Sequence, residues 1–214
     1  MRFALTDDQI DFRDALDKLV ATNRSAPDLW RRLDELGIND LVAEAGPVEV
    51  VVAFEVLGRY AVPDAVANTA GVADDPELAT LATAAYLLGA GERVLADSVA
   101  YVKQRRQFGR EIGSYQAIKH KLADVRIALD FARPLVFGAA LEPTERAVSA
   151  AKVQAGDAAY LASRTGLQVH GAIGYTRELE LSTWITLIRE LQSAHGTAAF
   201  HRARILDSLL AERG

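Results

Sequence analysis

Lys103, Arg105 and Arg106 stand together at the end of a helix-like run, and an abrupt Gln107-Phe108-Gly109 follows. An arginine fork makes two charge-assisted hydrogen bonds to one anion, so such a cluster suits a phosphate or diphosphate. It also suits a solvated helix C-terminus, where cations favour the macrodipole. Taken alone, the residues leave both readings open. A second group lies in QVHGAIGYTRE, residues 168–178, where Gly171 and Gly174 read as turn glycines beside Gln168. A third is SAHGTAAF, which places His195, a potential proton acceptor, before Gly196-Thr197.

The first two groups together resemble the acyl-CoA dehydrogenase family. Arg105, Phe108, Gly109, Ile112 and Gln116 fall on its R-x-x-F-G-x-x-I-x-x-x-Q signature. Residues 168–178 are similar to its Q-x-x-G-G-x-G-Y/F-T-x-E, with Ala172 replacing the second glycine. The likeness runs from about Pro76 to Leu210. It is weaker in FALTDDQIDFRDAL, in LWRRLDELGI, and in an E-x-x-G-R match at Glu55, Gly58 and Arg59.

This resemblance implies that Arg105, Gln107, Phe108, Gln168 and Gly171 contact the diphosphate–adenosine half of an FAD held mainly by a neighbouring subunit. It implies a structural hydrogen-bonding role for His170 and a flavin-contacting role for Thr197. The family's catalytic glutamate stands either before the Gly-Thr pair or 26 residues ahead of the signature arginine. Those positions are His195 and Ala79, so neither slot holds an acid and no catalytic residue is assigned. His195 is read as packed or hydrogen-bonded, with an acid–base role as the rival reading. Ala199 replaces a polar flavin-contacting residue.

Composition bounds the rest. The 214 residues allow one large or two small domains. Half are hydrophobic and a quarter charged, and the net charge of −5 gives no global field for nucleic acid. With no cysteine, disulfides, thiolate nucleophiles and cysteine metal sites are excluded, and no metal site is expected. The N-terminus has acids where a signal peptide needs an apolar core, and no apolar run reaches the ~20 residues of a membrane span. A cytoplasmic protein without membrane contact is expected.

The elements that must position these residues read as helices. Periodicity and caps predict them over residues 6–20, 28–36, 48–60, 76–105, 115–139, 143–170, 179–191 and 196–212. Val50-Val51-Val52 also suits a buried strand by propensity. The expected fold is all-α: an N-terminal helical segment over 1–70, then an antiparallel bundle over 71–214. Full-length family members carry a β-domain between these parts, on the order of 100 residues. Here residues 64–76 provide about a dozen, so the β-domain is expected to be missing.

The losses concern the chain's own flavin and substrate, whereas the retained residues serve a neighbour's. The resemblance therefore implies a non-catalytic subunit of a heteromeric acyl-CoA dehydrogenase, sharing FAD in an α2β2 complex with a full-length paralogue that binds the acyl-CoA. Family members of that kind act on steroid-derived thioesters. A homo-oligomeric helical scaffold without activity, or an enzyme using His195, are the alternatives.

Overall fold

A computed structural model describes residues 4–171 and 180–212. The described residues are all-α apart from one minute hairpin. In order come α1 (Asp7–Asn23), α2 (Leu29–Glu35), a 3-10 turn and a π turn, α3 (Pro47–Arg59) and α4 (Ala65–Asn68). Then follow α5 (Pro76–Gln104), β1 (Arg106–Gln107), β2 (Arg110–Glu111), α6 (Gln116–Leu141), α7 (Glu145–His170), α8 (Leu181–Leu191) and α9 (Ala198–Ala211). No β-domain stands between α3 and α5. Among the described residues, no helix is long and apolar enough to cross a membrane.

The helix starts follow from local chemistry. Thr6 and Gln9 form a reciprocal capping box at α1. The Asp75 carboxylate accepts from the amides of Glu77 and Leu78, with Pro76 in the first turn of α5. Thr144 and Thr197 accept the amides of Ala147 and Phe200. Gly37, with φ of 89°, ends the α2 region in the left-handed conformation.

The Val50–Val52 run is helical, and α3 is buried from Val50 through Gly58. An all-round buried helix has no polar face, which is why its period was ambiguous. Its crossing with α5 is unusually close: a Cβ on Gly58 would lie 2.0 Å from the Tyr86 carbonyl oxygen, and one on Gly89 1.9 Å from that of Glu55. The motif glycine is there because backbone meets backbone. Trp184 of α8, fully buried, donates to the Gly58 and Arg59 carbonyls at the same place.

Helices α5, α6 and α7 run up, down and up. Gly91 of α5 lies against Leu129 and Ala159, and Gly166 of α7 against Val94 and Ser98. The C-terminal ends of α5 and α7 and the N-terminal end of α6 therefore share one end of the bundle. One buried apolar cluster runs from Leu16 through α3, α5, α6 and α7 to Ile188.

Candidate functional site

Arg105 caps α5, its amide bonded to the Tyr101 carbonyl at 2.9 Å. The chain then turns back on itself. Arg106 pairs with Glu111 and Gln107 with Arg110 in an antiparallel ladder. The two residues at the tip, Phe108 and Gly109, have φ of 52° and 82°. Positive φ at both central residues is what a tight type I′ hairpin turn demands. Glycine adopts it freely, but phenylalanine does so at a cost of roughly 1–2 kcal/mol. The strained Phe108 is 91% exposed. The hairpin is held from below by the Ile112 amide on the Arg105 carbonyl at 2.9 Å, and the Arg110 guanidinium lies 3.9 Å over the Tyr115 ring. Sequence reading expected only a break here, because a phenylalanine at this turn position runs against the usual Asn/Gly signal.

The second group reaches the same end. His170 is buried, bonds the Gly166 carbonyl through Nδ1 at 2.8 Å, and stacks on Tyr101 at 4.2 Å between ring centres. The stack joins the last turns of α5 and α7. Gln168 lies two residues before His170 and Gly171 directly after it, and both are exposed. They line a groove of about 670 Å³ with Lys121, Leu161 and Arg164. Residues 172–179, which include Ala172, Gly174 and the rest of that motif, lie outside the described residues.

Charge sets this end apart. Lys103, Arg105, Arg106, Arg110, Lys119, Lys121 and Arg164 gather here, and among the described residues none makes an ion pair. Five described arginines lack an ion pair, and four of them are Arg105, Arg106, Arg110 and Arg164. In a chain of net charge −5 this is a deliberate concentration. Such mutually repelling cations suit an external anion.

A profile of the acyl-CoA dehydrogenase C-terminal domain matches residues 78–210. The chain belongs to the acyl-CoA dehydrogenase family. It is 38% identical over 128 residues to acyl-CoA dehydrogenase IpdE2 of Mycobacterium tuberculosis, a match covering 60% of this chain and 37% of that protein. The solved butyryl-CoA dehydrogenase of Megasphaera elsdenii is 31% identical, with a TM-score of 0.61 over 63% of this chain and 37% of its own. This chain thus spans well under half the length of such relatives. A chain in the structure of the ChsE4-ChsE5 complex from Mycobacterium tuberculosis matches differently. It superposes with a TM-score of 0.86 over 98% of this chain and 99% of its own, at 19% identity. That likeness establishes a shared fold over the whole length.

The family's two acid positions hold no acid. Ala79 is buried in the first turns of α5. His195 has φ of 55°, and among the described residues its ring has no hydrogen-bond partner; only its carbonyl is used, accepting from His201 Nε2 at 3.0 Å. It lies exposed at the edge of a largely apolar pocket of about 260 Å³, with Thr83, Tyr86, Asp64 and Glu190 among the lining residues. The expectation of a packed or hydrogen-bonded histidine is therefore corrected: at this positive-φ turn the residue is exposed, and its carbonyl, not its ring, meets His201. Partial desolvation against the pocket wall, then the charge of Lys152, hold its pKa below the ordinary range.

Sequence reading missed two residues here. Lys152 is 3% exposed and donates to the Leu191 and Gln192 carbonyls at 3.0 and 3.2 Å, closing the C-terminus of α8. Burial pushes its pKa down to about 8. His201, fully buried, joins the Ser149 hydroxyl at 3.1 Å to the His195 carbonyl. The signal was available for Lys152: it sits among Val148, Ala151 and Ala155 on the apolar side of a helix.

Proposed function

We propose that this chain is a subunit of a heteromeric FAD-dependent acyl-CoA dehydrogenase and lends its cationic end to the flavin of a full-length partner. The observation that carries this is the gathering of four unpaired arginines at the end that also holds Gln168 and Gly171. Arg105 is the primary clamp for the diphosphate. Gln107, exposed Phe108, Gln168 and Gly171 supply the surface for the adenosine half. The residues present fit that half of the cofactor: forked donors for the phosphates, an open groove and an exposed aromatic edge. They do not fit a whole flavin, because no β-domain provides the second wall for the ring.

FAD, when bound, supplies a hydride acceptor for the substrate's β-carbon. The α-proton must go to a carboxylate, and this chain has none in either family position. The acyl-CoA and the base therefore belong to the partner, with α2β2 as the proposed stoichiometry and a steroid-derived thioester as the substrate class. The full-length match to a chain of the ChsE4-ChsE5 complex supports this reading.

A second reading has its own observation. His195, its pKa lowered by desolvation and by the charge of Lys152, stands at the edge of an apolar pocket, with Asp64 and Glu190 on the lining. A flavin-free acid–base reaction on an acyl thioester would use it.

One experiment separates the two. The chain is purified alone and after co-expression with a full-length acyl-CoA dehydrogenase relative. Alone it should be colourless and inactive; together the pair should co-purify with bound flavin. Stoichiometric flavin in the isolated chain, or a failure to associate with any such relative, would overturn the first reading. Flavin-free turnover by the isolated chain would establish the second.

A further inference from the structure

Helix α9 is mounted on the bundle the wrong way round. Its large apolar side chains Phe200, Leu206, Leu209 and Leu210 lie exposed. The side it turns to α7 carries Ala198, His201, Ile205 and Ser208, at three- and four-residue steps. Among its 14 residues only His201 is buried. A surface helix is ordinarily held by an apolar stripe. This one is held near its start by a titratable ring, and elsewhere by ion pairs. Arg202 meets Asp157 at 2.7 Å, Arg204 meets Glu77 at 2.7 Å and Glu145 at 3.3 Å, and Glu212 meets Arg146 at 2.6 Å. The pairs of Arg202 and Arg146 are exposed, and such pairs contribute little.

The bonds of His201 fix its protonation state. Nε2 meets the His195 carbonyl at 3.0 Å, and a carbonyl only accepts, so Nε2 carries the proton and donates. Nδ1 is then the bare nitrogen and accepts from the Ser149 hydroxyl at 3.1 Å. A second proton can go only to Nδ1. There it ends the Ser149 bond and puts a full charge on a side chain with no exposed surface. The charged groups about the ring oppose it on balance: Lys152 of α7 and Arg204 of its own helix against Glu77 of α5, with His195 in the preceding loop. Burial, then the charge of Lys152, hold the His201 pKa below the ordinary range, and the bond to the His195 carbonyl and the charge of Glu77 offset this only in part. The docked helix therefore excludes a proton that a released helix accepts. We propose that α9 is an acid-released latch: a proton on His201 undocks the helix from α7 while the core of α3, α5, α6 and α7 stays folded. Because the docked ring binds its proton more weakly than the released one, docking is at full strength above about pH 6.5 and is lost as pH falls, by up to about tenfold per unit. Release also gives up the bond on the His195 carbonyl, so the loop 192–197 at the edge of the His195 pocket is coupled to the latch.

The latch rests on neither reading of the function and is tested on the isolated chain. Hydrogen exchange, resolved by peptide and corrected for the intrinsic rate, is followed from about pH 7.5 down to about 5.5. Protection of the α9 amides should fall by about three- to tenfold per unit below about pH 6.5, while that of α3 and α5 stays level. His201→Gln offers one donor and one acceptor without titrating, and should remove the dependence. His195→Gln should keep it. Ser149→Ala withdraws the bond to the bare Nδ1. Protection of α9 at neutral pH should then drop and its pH dependence flatten, because the docked ring takes its proton more nearly as the released one does. This variant decides the matter if His201→Gln fails to dock. Level α9 protection across the range, parallel losses in α3 and α5, or a dependence abolished by His195→Gln would overturn the proposal. So would a docked His201→Gln helix that still loosens in acid, or a Ser149→Ala curve identical to that of the wild type.

Discussion

Two groups of arginines lie on the same bundle and live under opposite conditions. Arg126 and Arg133 of α6 reach across to α5 and α3. Arg126 makes a paired contact with Glu92 at 2.6 and 2.7 Å, and Arg133 bonds Glu55 at 2.8 Å and Glu92 at 3.1 Å. Burial pushes the Glu92 carboxyl up, but the two guanidinium groups outweigh it and hold it below the ordinary range. Among the described residues, Arg105, Arg106, Arg110 and Arg164 make no ion pair, although Glu111 faces Arg106 across the hairpin ladder. The first group spends its charge inside the fold, and the second, in the function proposed above, offers it to an outside anion. The lesson is that an arginine's meaning lies in its counter-ion: the composition of the two groups is alike, and the pairing separates them.

The largest expected effect tests the internal group. Glu92→Ala leaves Arg126 and Arg133 short of their shared partner. Removing one member of a buried pair costs 3–5 kcal/mol, and the partial exposure of these arginines reduces that to about 2–3. At roughly 2–4 °C per kcal/mol for a chain of this size, melting should fall by about 4–12 °C. An unchanged melting temperature would erase the distinction.

Arg105→Ala should do the reverse. Melting should move by no more than ~0.5 kcal/mol. In complex with a full-length relative, flavin binding should weaken about ten- to hundredfold, the loss of a charge-assisted contact worth roughly 1.5–3 kcal/mol. Flavin titration of the apo-complex measures it. Retained affinity, with activity abolished by His195→Ala instead, would move the chemistry to the other end of the chain.

Lys152 gives a pH test of a buried cation with no carboxylate. The unfolded chain holds this proton to about pH 10.5 and the folded chain only to about 8. Between those values the unfolded state binds more protons, so stability rises with pH. Wild type should gain on the order of 1–2 kcal/mol relative to Lys152→Met between about pH 7.5 and 9.5. Denaturant unfolding of both at each pH measures the difference; parallel curves would mean the lysine is not desolvated.

The smallest effect is at the hairpin tip. Phe108→Gly removes the positive-φ strain and should raise stability by about 0.5–1 kcal/mol while weakening association with the flavin-bearing partner. A variant that is neither more stable nor poorer at association would show that Phe108 is not held there for binding.

Much of the fold was legible because helix boundaries are written in caps. Thr6 and Asp75-Pro76 each name a start, and Gly37 a stop. The cationic end was legible through two separated motifs, but its character was not. That four arginines there lack ion pairs among the described residues depends on where α3 and α5 place their glutamates, and no local spacing records that. The hairpin at 106–111 was hidden because a strained phenylalanine occupies a glycine-like position. Lys152 and His201 were hidden because each is a lone residue whose partners, the end of α8 and Ser149, are distant in sequence. The assignment of residues 1–70 and 71–214 as separate segments remains a proposal, and the buried cluster that spans both argues for folding them together.

The crossing at Gly58 and Gly89 also bears on how the chain folds. Only residues 60–75 separate α3 from α5. A relative with a β-domain between the same helices must close a loop on the order of 100 residues or more before that crossing forms. Each doubling of loop length adds about 0.6 kcal/mol of closure entropy, so the short connection lowers the barrier by roughly 1.5–2 kcal/mol. The α3–α5 pair becomes an early, low-contact-order nucleus, and α8 docks onto it through Trp184 later. A chain without the β-domain thereby has a core able to assemble quickly, before any partner would arrive.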